Sequence, residues 1–584
     1  MMKMSGAFLR DLWTLTRPYW FSEDRWAGRG LLAVILAMNL GLVALNVIFN
    51  QWYRLFYNTL QNHNMPEFWH QLFRFSYLAA IAIVIAVYQV YLTQMLQIRW
   101  RQWLTGHYLR DWLGGQTHYR MQLLGDGTDN PDQRISQDLA LFVNQTLSLT
   151  LGFISSAVTL VSFVGILWAI SGPLAIALGG TTLTIPGYMV WAALVYAIAG
   201  TWLTHLIGKP LIRLNYDQQR YEADFRFGLV RLRENTEGVA LYRGEEGETG
   251  ILHHSFGFVV RNWWGIMKRQ KSLTWFTSFY GQLAIIFPFL VASPRYFAGA
   301  IELGGLMQIS SAFGQVQSSL SWFVSAYTSL AEWKATVERL TGFQAAMQTA
   351  RASTEARGLA HTRAADPAIG LESVALDLPR GEKLLEVPAL ALAPGEAVLV
   401  TGPSGSGKST LFRALAGIWP FGRGTVRVPE GARILFLPQK PYLPLGDLAS
   451  VASYPGEPQP ADSVAGALAA VGLAGLASRL AEVRNWSLEL SPGEQQRLAV
   501  ARALLYKPDW LFLDEATSAL DEAAEADLYR VLRERLPATT LISIGHRATL
   551  AAFHERHFAV MREGGSATLR EVAGGMGAAE TARA

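Results

Sequence analysis

The chain has 584 residues, a formal net charge of +4, 16% charged residues, 19 tryptophans and no cysteine. The length exceeds one ordinary domain, and the nearly balanced charge implies neither a strongly basic nor a strongly acidic partner. Without cysteine, disulfides, thiolate metal sites and a cysteine nucleophile are excluded, which fits soluble parts kept in a reducing compartment.

The first twenty residues, MMKMSGAFLRDLWTLTRPYW, have no unbroken apolar core and no small-residue cleavage site, so they do not form a cleavable signal. Their mixture of basic and aromatic residues suits a helix lying in the membrane interface. A frayed amphipathic N-terminus is the plainer alternative. Long apolar runs then fill residues 30–330, and charge returns after Trp333. A spanning helix needs about 20 mostly apolar residues. That length places six spans near 30–50, 76–98, 147–170, 184–207, 279–300 and 304–328. The sixth, with MQISSAFGQVQSSLSWFVSAY, is the most polar, as suits a helix facing protein or a watery cavity.

Basic residues set the orientation. Lys3, Arg10, Arg17, Arg25 and Arg29 precede the first span, and Arg99, Arg101, Arg110, Arg120 and Arg134 follow the second. The segment from Lys209 to Lys271 is also basic, whereas the loop SGPLAIALGGTTLTIPG carries no charge. The alternation places both termini and the long loops in the cytoplasm. Spans that continue as helices into the cytoplasm would carry contact segments well away from the bilayer. Several amides lie on the spans: Asn39 and Asn46 on the first, Gln89, Gln94 and Gln97 on the second, Gln308, Gln315 and Gln317 on the sixth. They either line a wet cavity or satisfy one another between helices. Glu332 and the pair Glu245 and Glu246 are functional charges or parts of a solvated face.

Residues 345–368 lack apolar periodicity and are expected to be a linker. Beyond them, strand-like runs (IGLESVALDL, EAVLV, RILFLP, WLFLD) alternate with helical stretches, the pattern of an α/β domain. EAVLV leads into TGPSGSGKST, which fits G-x-x-x-x-G-K-[ST] between a strand and a helix. Residues Gly402, Pro403, Ser404, Gly405, Ser406, Gly407, Lys408, Ser409 and Thr410 are therefore expected to hold the phosphates of ATP. The glycines let backbone N–H groups point at phosphate oxygens, and the helix N-terminus adds its dipole. Lys408 should reach the outer phosphates and the Ser409 hydroxyl should coordinate Mg²⁺. The strand WLFLD ends at Asp514, placed for the Mg²⁺ shell, and Glu515, placed to polarise the attacking water. His546, after the strand-like TTLISIG, is expected at the γ-phosphate. The residues after Glu563 are rich in small side chains and are expected to be a disordered tail.

Leu490-Ser491-Pro492-Gly493-Glu494-Gln495-Gln496-Arg497 is a segment that P-loop proteins as a class do not share. It resembles the signature motif of ATP-binding cassette (ABC) proteins, and with Gln439 in LPQKPYLP it completes the family's motif order. The resemblance implies that Ser491 and Gly493 of one cassette contact the γ-phosphate held by another. A homodimer with two composite ATP sites is its economical form. It further implies catalytic and metal-shell roles for Gln439 and nucleotide contacts for Glu494 and Asp521. The chain departs from the pattern in two places. Pro492 and Glu494 replace the usual glycine and glutamine, and no aromatic in VALDLPRG is available to stack on adenine.

Four membrane-half segments narrow the branch: NPDQRISQD (Asn130–Asp138), YEADFRFGLVRLRENTEGVALYRGEEGE (Tyr221–Glu248), SPRYFAGAIELGGLMQ (Ser293–Gln308) and SLAEWKATVERLTGF (Ser329–Phe343). They resemble the six-span domain shared by subfamily D transporters, the peroxisomal fatty-acyl carriers, and the bacterial SbmA/BacA-like transporters. The likeness covers residues 10–560. It implies an exporter-type membrane α-helical domain with six transmembrane helices (1–343), a linker (344–368), a cytoplasmic α/β P-loop cassette (369–563) and the tail (564–584). By the same resemblance, Glu222, Asp224 and Arg226 would lie where the second long loop meets the cassette.

The function this implies is ATP-driven transport across a bacterial inner membrane by a homodimer, with ATP and Mg²⁺ as cofactors and membrane lipid as surroundings. SbmA/BacA-like relatives point to peptides, cobalamin or other bulky hydrophilic cargo, and subfamily D to very-long-chain acyl groups or acyl-CoA. An ATP-gated channel or a regulatory membrane ATPase is the alternative of another class. No nucleic acid partner is expected, because no basic patch carries interleaved aromatics.

Overall fold

The computed structural model describes residues 6–124, 130–178, 181–563 and 566–572. Its contacts divide them into two compact units. One takes in the described residues of Met1–Tyr108 and Asn130–Gly342, the other those of Leu109–Asp129 and Phe343–Ala584.

The first unit is helical. Helix α1 (Gly6–Trp20) buries Phe8, Leu15, Thr16 and Tyr19 along one face. Tyr19 stacks on Trp100 and Phe8 meets Trp333 edge to face, so Gly6–Trp20 is a packed helix and not a frayed segment. There follow α2 (Arg25–Gln61), α3 (Met65–Leu113), α4 (Thr117–Leu124, which belongs to the other unit) and α5 (Leu139–Ser171). A hairpin of β1 (Pro173–Leu178) and β2 (Thr181–Pro186) comes next. After it run α6 (Tyr188–Glu234), the short α7 (Thr236–Tyr242), α8 (Glu245–Phe297) and α9 (Leu303–Arg357). Among the described residues, five helices are long and apolar enough to cross a membrane, and the sixth expected span, 304–328, lies within α9. Apolar side chains on α3 such as Ile83, Val84 and Val87 are more than half exposed, as a lipid-facing surface requires.

Two sequence expectations are corrected here. The uncharged loop is a β-hairpin, and the fourth helix starts at Tyr188 and not at residue 184. The β-branched run TTLTIP favours strand, and Pro186 and Gly187 (φ 59°) block helix before Tyr188. The long loops are helix, as expected. At 1.5 Å per residue, α6 and α8 reach about 70 and 80 Å, more than twice the ~30 Å of hydrocarbon they would cross. They run side by side through a reciprocal clasp: Tyr280 donates its hydroxyl to the Tyr196 carbonyl at 3.1 Å, Tyr196 donates to Tyr280, and the rings stack at 4.4 Å. Gly200 makes this possible, since a β-carbon there would overlap the Tyr280 ring.

The second unit is the α/β domain. Its strands are β3 (Ala360–Ala364), β4 (Ile369–Asp377), β5 (Lys383–Leu392), β6 (Ala397–Thr401), β7 (Gly422–Pro429), β8 (Ile434–Leu437), β9 (Trp510–Asp514), β10 (Thr540–Ile544), β11 (Arg556–Glu563) and β12 (Ser566–Val572). They form one sheet in the order β3-β7-β4-β5-β12-β11-β6-β10-β9-β8. Strands β11, β6, β10, β9 and β8 are parallel to one another. Side chains alternate across this parallel part. Leu511 and Leu513 enter one core with Trp486 and Leu498, while Trp510 and Phe512 enter the other with Phe412 and Trp419. Helix α4 belongs here too, with Leu123 packed on the second core and Thr117 hydrogen-bonded to Arg351.

The linker expected at 344–368 is not one. Helix α9 runs to Arg357, burying Phe343, Met347 and Ala350, and Ala360–Ala364 pairs with β7. Spacings of four and three residues are a helical face, hidden in the sequence because one of its positions is alanine. The tail is corrected in part. Ser566–Val572 is a strand paired with β11, because the alternating apolar positions Ala567 and Leu569 bury in the core. Residues 573–584 lie outside the described residues.

Candidate functional site

The phosphate loop leaves the C-terminal end of β6, in the middle of the sheet, and enters helix α10 (Lys408–Leu415). Ligands of open α/β sheets bind at such strand ends. Gly407, the residue before the helix, has φ 96°, and a β-carbon there would sit 3.1 Å from Leu384. Only glycine meets both conditions. Pro403, Ser404 and Gly405 are exposed, while Ser406 and Lys408 are buried and Thr410 packs inward. The Ser406 hydroxyl is buried with no hydrogen-bond partner among the described residues. The Lys408 ammonium donates to the carbonyls of Gly402 (2.7 Å) and Pro403 (2.8 Å), so it lies across the loop. Burial pushes its pKa down, against the pull of Glu515 and Asp514.

Asp514 ends β9 and accepts the Ser409 hydroxyl at 2.9 Å. Burial raises its carboxyl above the usual range, an effect the Ser409 hydrogen bond only partly offsets. A half-buried carboxylate beside a hydroxyl, with Gln439 bonded to the adjacent Glu515, is an oxygen donor set that suits a hard cation. Mg²⁺ keeps few protein ligands when substrate phosphates supply the rest. The residues fit that ion.

Glu515 has φ 49°, in the left-handed region that non-glycine residues rarely adopt. Its N–H still bonds the Ile544 carbonyl at 3.1 Å, so the strained turn is anchored to β10. The Glu515 carboxylate accepts the Gln439 side-chain amide at 3.0 Å. Lys408, Ser409, Asp514, Glu515 and Gln439 are thus joined, or brought within electrostatic reach of one another, at one strand-end cleft. His546 sits exposed past the end of β10 and lines a small pocket with Glu515 and Ser518.

Ser491 caps helix α11 (Pro492–Tyr506). Its hydroxyl accepts from the Glu494 N–H, while the Glu494 carboxylate accepts the Ser491 N–H at 2.9 Å and its hydroxyl at 2.8 Å. Those hydrogen bonds hold the Glu494 carboxyl below its ordinary range. The two departures noted in the sequence are therefore one local device. Pro492 occupies the first helical position, where the missing N–H has no intrahelical partner, and Glu494 closes a capping box. Gly493 faces the turn after β9, with room for a β-carbon only 3.1 Å from Leu520. Asp521 accepts the Ala524 N–H at 2.8 Å and caps α12 (Glu522–Arg535). No hydrogen bond joins the signature residues to the phosphate loop among the described residues, and Ser491 is exposed.

Sequence reasoning missed three connecting residues. Buried Gln496 donates to the Gln439 carbonyl (3.0 Å) and accepts the Ala519 N–H (2.9 Å), tying α11 to both loops. Arg547, next to His546, reaches the Leu520 carbonyl (2.8 Å) and Glu525 (3.3 Å). Glu525, buried, also accepts the Thr517 hydroxyl at 2.6 Å. Gln496 lay inside the quoted motif, but nothing in the sequence pairs Arg547 with Glu525.

The membrane amides divide. Gln308 and Asn50 are both buried and bond each other, with Asn50 donating to the Gln308 carbonyl at 3.0 Å. Asn39 is buried, its amide oxygen without a hydrogen-bond partner among the described residues, and Gln94 is exposed. Gln317 lines a cavity.

Comparison with known proteins agrees with this architecture. Residues 15–297 match the family described as ABC transporter transmembrane region 2, and residues 385–518 the family described as ABC transporter. The inner membrane ABC transporter ATP-binding protein YddA of Escherichia coli is 36% identical, over 91% of this chain and 94% of that protein. The human lysosomal cobalamin transporter ABCD4 is 28% identical, over 92% of this chain and 91% of its own. The structure of a bacterial Atm1-family ABC exporter with ATP bound superposes with a TM-score of 0.71 at 19% identity, covering 95% of this chain and 98% of that one.

Proposed function

The chain belongs to the ABC transporter family, as a membrane half-transporter related to subfamily D, and from that premise we propose that it works as a homodimer in a bacterial inner membrane, moving bulky hydrophilic solutes such as peptides or cobalamin. ATP hydrolysis coupled to transport is the family's chemistry. The observation that carries the dimer is the separation of the two half-sites: Ser491 and Gly493 are not bonded to the phosphate loop of their own chain. A second copy supplies the complement, giving two composite sites.

In each site the loop N–H groups and Lys408 hold the phosphates. Glu515, held by Gln439 and by its bond to β10, orients and deprotonates the attacking water. Ser409 and Asp514 would hold Mg²⁺, which when bound offsets charge on the phosphate oxygens. Ser491 and Gly493 of the second copy close over the γ-phosphate, so ATP binds the closed state more tightly than the open one. That difference in affinity moves the membrane half. The long helices α6 and α8 carry the motion, with α7 at their cytoplasmic turn and its Leu241 and Tyr242 exposed for contact.

A bacterial inner membrane is supported by the likeness to YddA, an inner membrane protein, and cobalamin by the likeness to ABCD4, a lysosomal cobalamin transporter. The test is cargo-stimulated ATP hydrolysis in lipid nanodiscs, comparing cobalamin, a proline-rich peptide and a long-chain acyl-CoA. Stimulation by the first or second supports the reading. Stimulation by acyl-CoA alone replaces the cargo class, and none at all favours a regulatory ATPase or an ATP-gated channel.

A further inference from the structure

Strand β10 ends at Ile544 and leads through Gly545 into His546 and Arg547. A β-carbon on Gly545 would overlap Leu550, so the chain is pressed against the short turn that follows. The exposed His546 ring makes no hydrogen bond among the described residues, so its own side chain does not fix where it points. The next side chain is held firmly. The Arg547 side chain is 23% exposed, and its guanidinium reaches three acceptors. Nη1 donates to the Leu520 carbonyl at 2.8 Å and to Glu525 at 3.3 Å, and Nη2 donates to the Ser518 carbonyl at 3.3 Å.

Those acceptors belong to the turn after β9 and to the helix it enters. The turn is built on Glu515, whose carbonyl accepts the Ser518 N–H at 3.1 Å, and it leads into α12, where Glu525 lies. The Glu525 side chain is 3% exposed, and its other oxygen accepts the Thr517 hydroxyl at 2.6 Å. A carboxylate so deeply buried needs a cation, and Arg547 is its ion partner among the described residues. Glu515, Ser518, His546 and Arg547 wall one small pocket together. An ion pair alone would be an ordinary structural tie. Here the guanidinium also holds two carbonyls of the turn, and a single peptide unit separates it from His546. That unit is planar and resists rotation, so fixing Arg547 restricts the backbone at His546.

We propose that Arg547 is a positioning residue for ATP hydrolysis: clamped by Glu525 and by the Ser518 and Leu520 carbonyls, it sets His546 against Glu515 across the cleft. The inference rests on the reading of His546 as a contact to the γ-phosphate and adds the residue that places it. The phosphate loop lies outside the clamp, so the clamp acts on the chemical step and not on nucleotide affinity. A displacement of about 1 Å at a reacting group costs up to about a hundredfold in rate.

The test compares wild type, Arg547→Gln, Arg547→Lys, His546→Ala and the double variant Arg547→Gln with Glu525→Gln, each as the full chain in nanodiscs. Steady-state turnover, ATP affinity and the thermal unfolding midpoint are measured for each. Arg547→Gln is expected to lower turnover about ten- to a hundredfold and to leave ATP affinity within about twofold. Its midpoint should fall, because Glu525 is left buried without its cation. The double variant removes that buried charge and should recover the midpoint while turnover stays low, which separates positioning from folding. Arg547→Lys keeps one donor for the turn and should regain part of the turnover. Turnover that recovers together with the midpoint in the double variant overturns the proposal, as does ATP affinity that falls in step with turnover. Loss of turnover in His546→Ala but not in Arg547→Gln overturns the positioning role and leaves the reading of His546 standing. Full turnover in His546→Ala overturns both.

Discussion

Arg339 grips Asp138 with two prongs, Nη2 at 2.6 Å from one carboxylate oxygen and Nε at 2.9 Å from the other. Arg134 adds a third contact at 2.6 Å, from within the same π-helical turn, Arg134–Asp138. The carboxylate is almost fully buried, and it joins the start of α5 to the middle of α9. Two of the segments that carried the family resemblance thus meet at one ion triad. Removing a buried ion that two guanidiniums share is expected to cost about 3–5 kcal/mol. Asp138→Ala should lower the thermal unfolding midpoint in nanodiscs markedly, and Arg339→Lys, which cannot make the two-pronged contact, should lower it less. Midpoints equal to wild type for both variants would show that the triad is not a structural tie.

Asp514 gives a prediction of opposite sign. Its carboxyl is raised by burial, so the stability it contributes is present below its unfolded pKa and lost as pH rises through the folded value. At neutral pH its charge is a cost. Asp514→Asn should therefore raise the unfolding midpoint of the nucleotide-free protein while abolishing ATP hydrolysis. A nucleotide-free variant less stable than wild type would contradict this.

Glu494 behaves the other way. Hydrogen bonds from Ser491 lower its carboxyl from 4.5, so its contribution is full above that value and is lost as pH falls through the lower, folded one. Glu494→Ala should destabilise the cassette by about 0.5–2 kcal/mol near neutral pH, the range for a lost helix cap. The gap between variant and wild type should close in acid below pH 4.5. A gap that persists unchanged there would assign the effect to something other than the cap.

Gln496 lies outside the phosphate loop and ties the signature helix to the backbone at Gln439 and Ala519. Gln496→Ala should reduce the turnover of ATP by roughly tenfold, where tenfold corresponds to about 1.4 kcal/mol, while ATP affinity stays within about twofold. Steady-state turnover and nucleotide binding, measured separately, decide it. A fall in affinity matching the fall in turnover would mean that the cassette itself is misfolded.

The fold was legible where single patterns carry it. Apolar runs of spanning length gave the helices, and the glycine-rich loop with WLFLDE and the Ser491 segment gave the cassette. What failed had identifiable causes. Residues 345–357 hide a helical face because one of its positions is Ala350, and the hairpin at 173–186 carries glycines and prolines that suit a loop as well as the ends of strands. Ser566–Val572 opens a stretch rich in small residues, a composition that suits disorder as well as a short strand. At the candidate site, short motifs single out Lys408, Ser409, Asp514 and Glu515 in the sequence, and the structure places them at one strand-end cleft. The Gln496 bridge and the Arg547–Glu525 pair are contacts between residues apart in the chain, and one sequence does not encode them as a local pattern.

The central claim is that ATP turnover at the Glu515 site drives net solute movement, and uptake into proteoliposomes with ATP on the cassette side tests it most directly. The account predicts that a labelled hydrophilic cargo, cobalamin or peptide, accumulates above its equilibrium level with ATP, and that Glu515→Gln, which still binds ATP, abolishes the accumulation. Flux that stops at equilibrium, or that is the same in the Glu515→Gln protein, would contradict it.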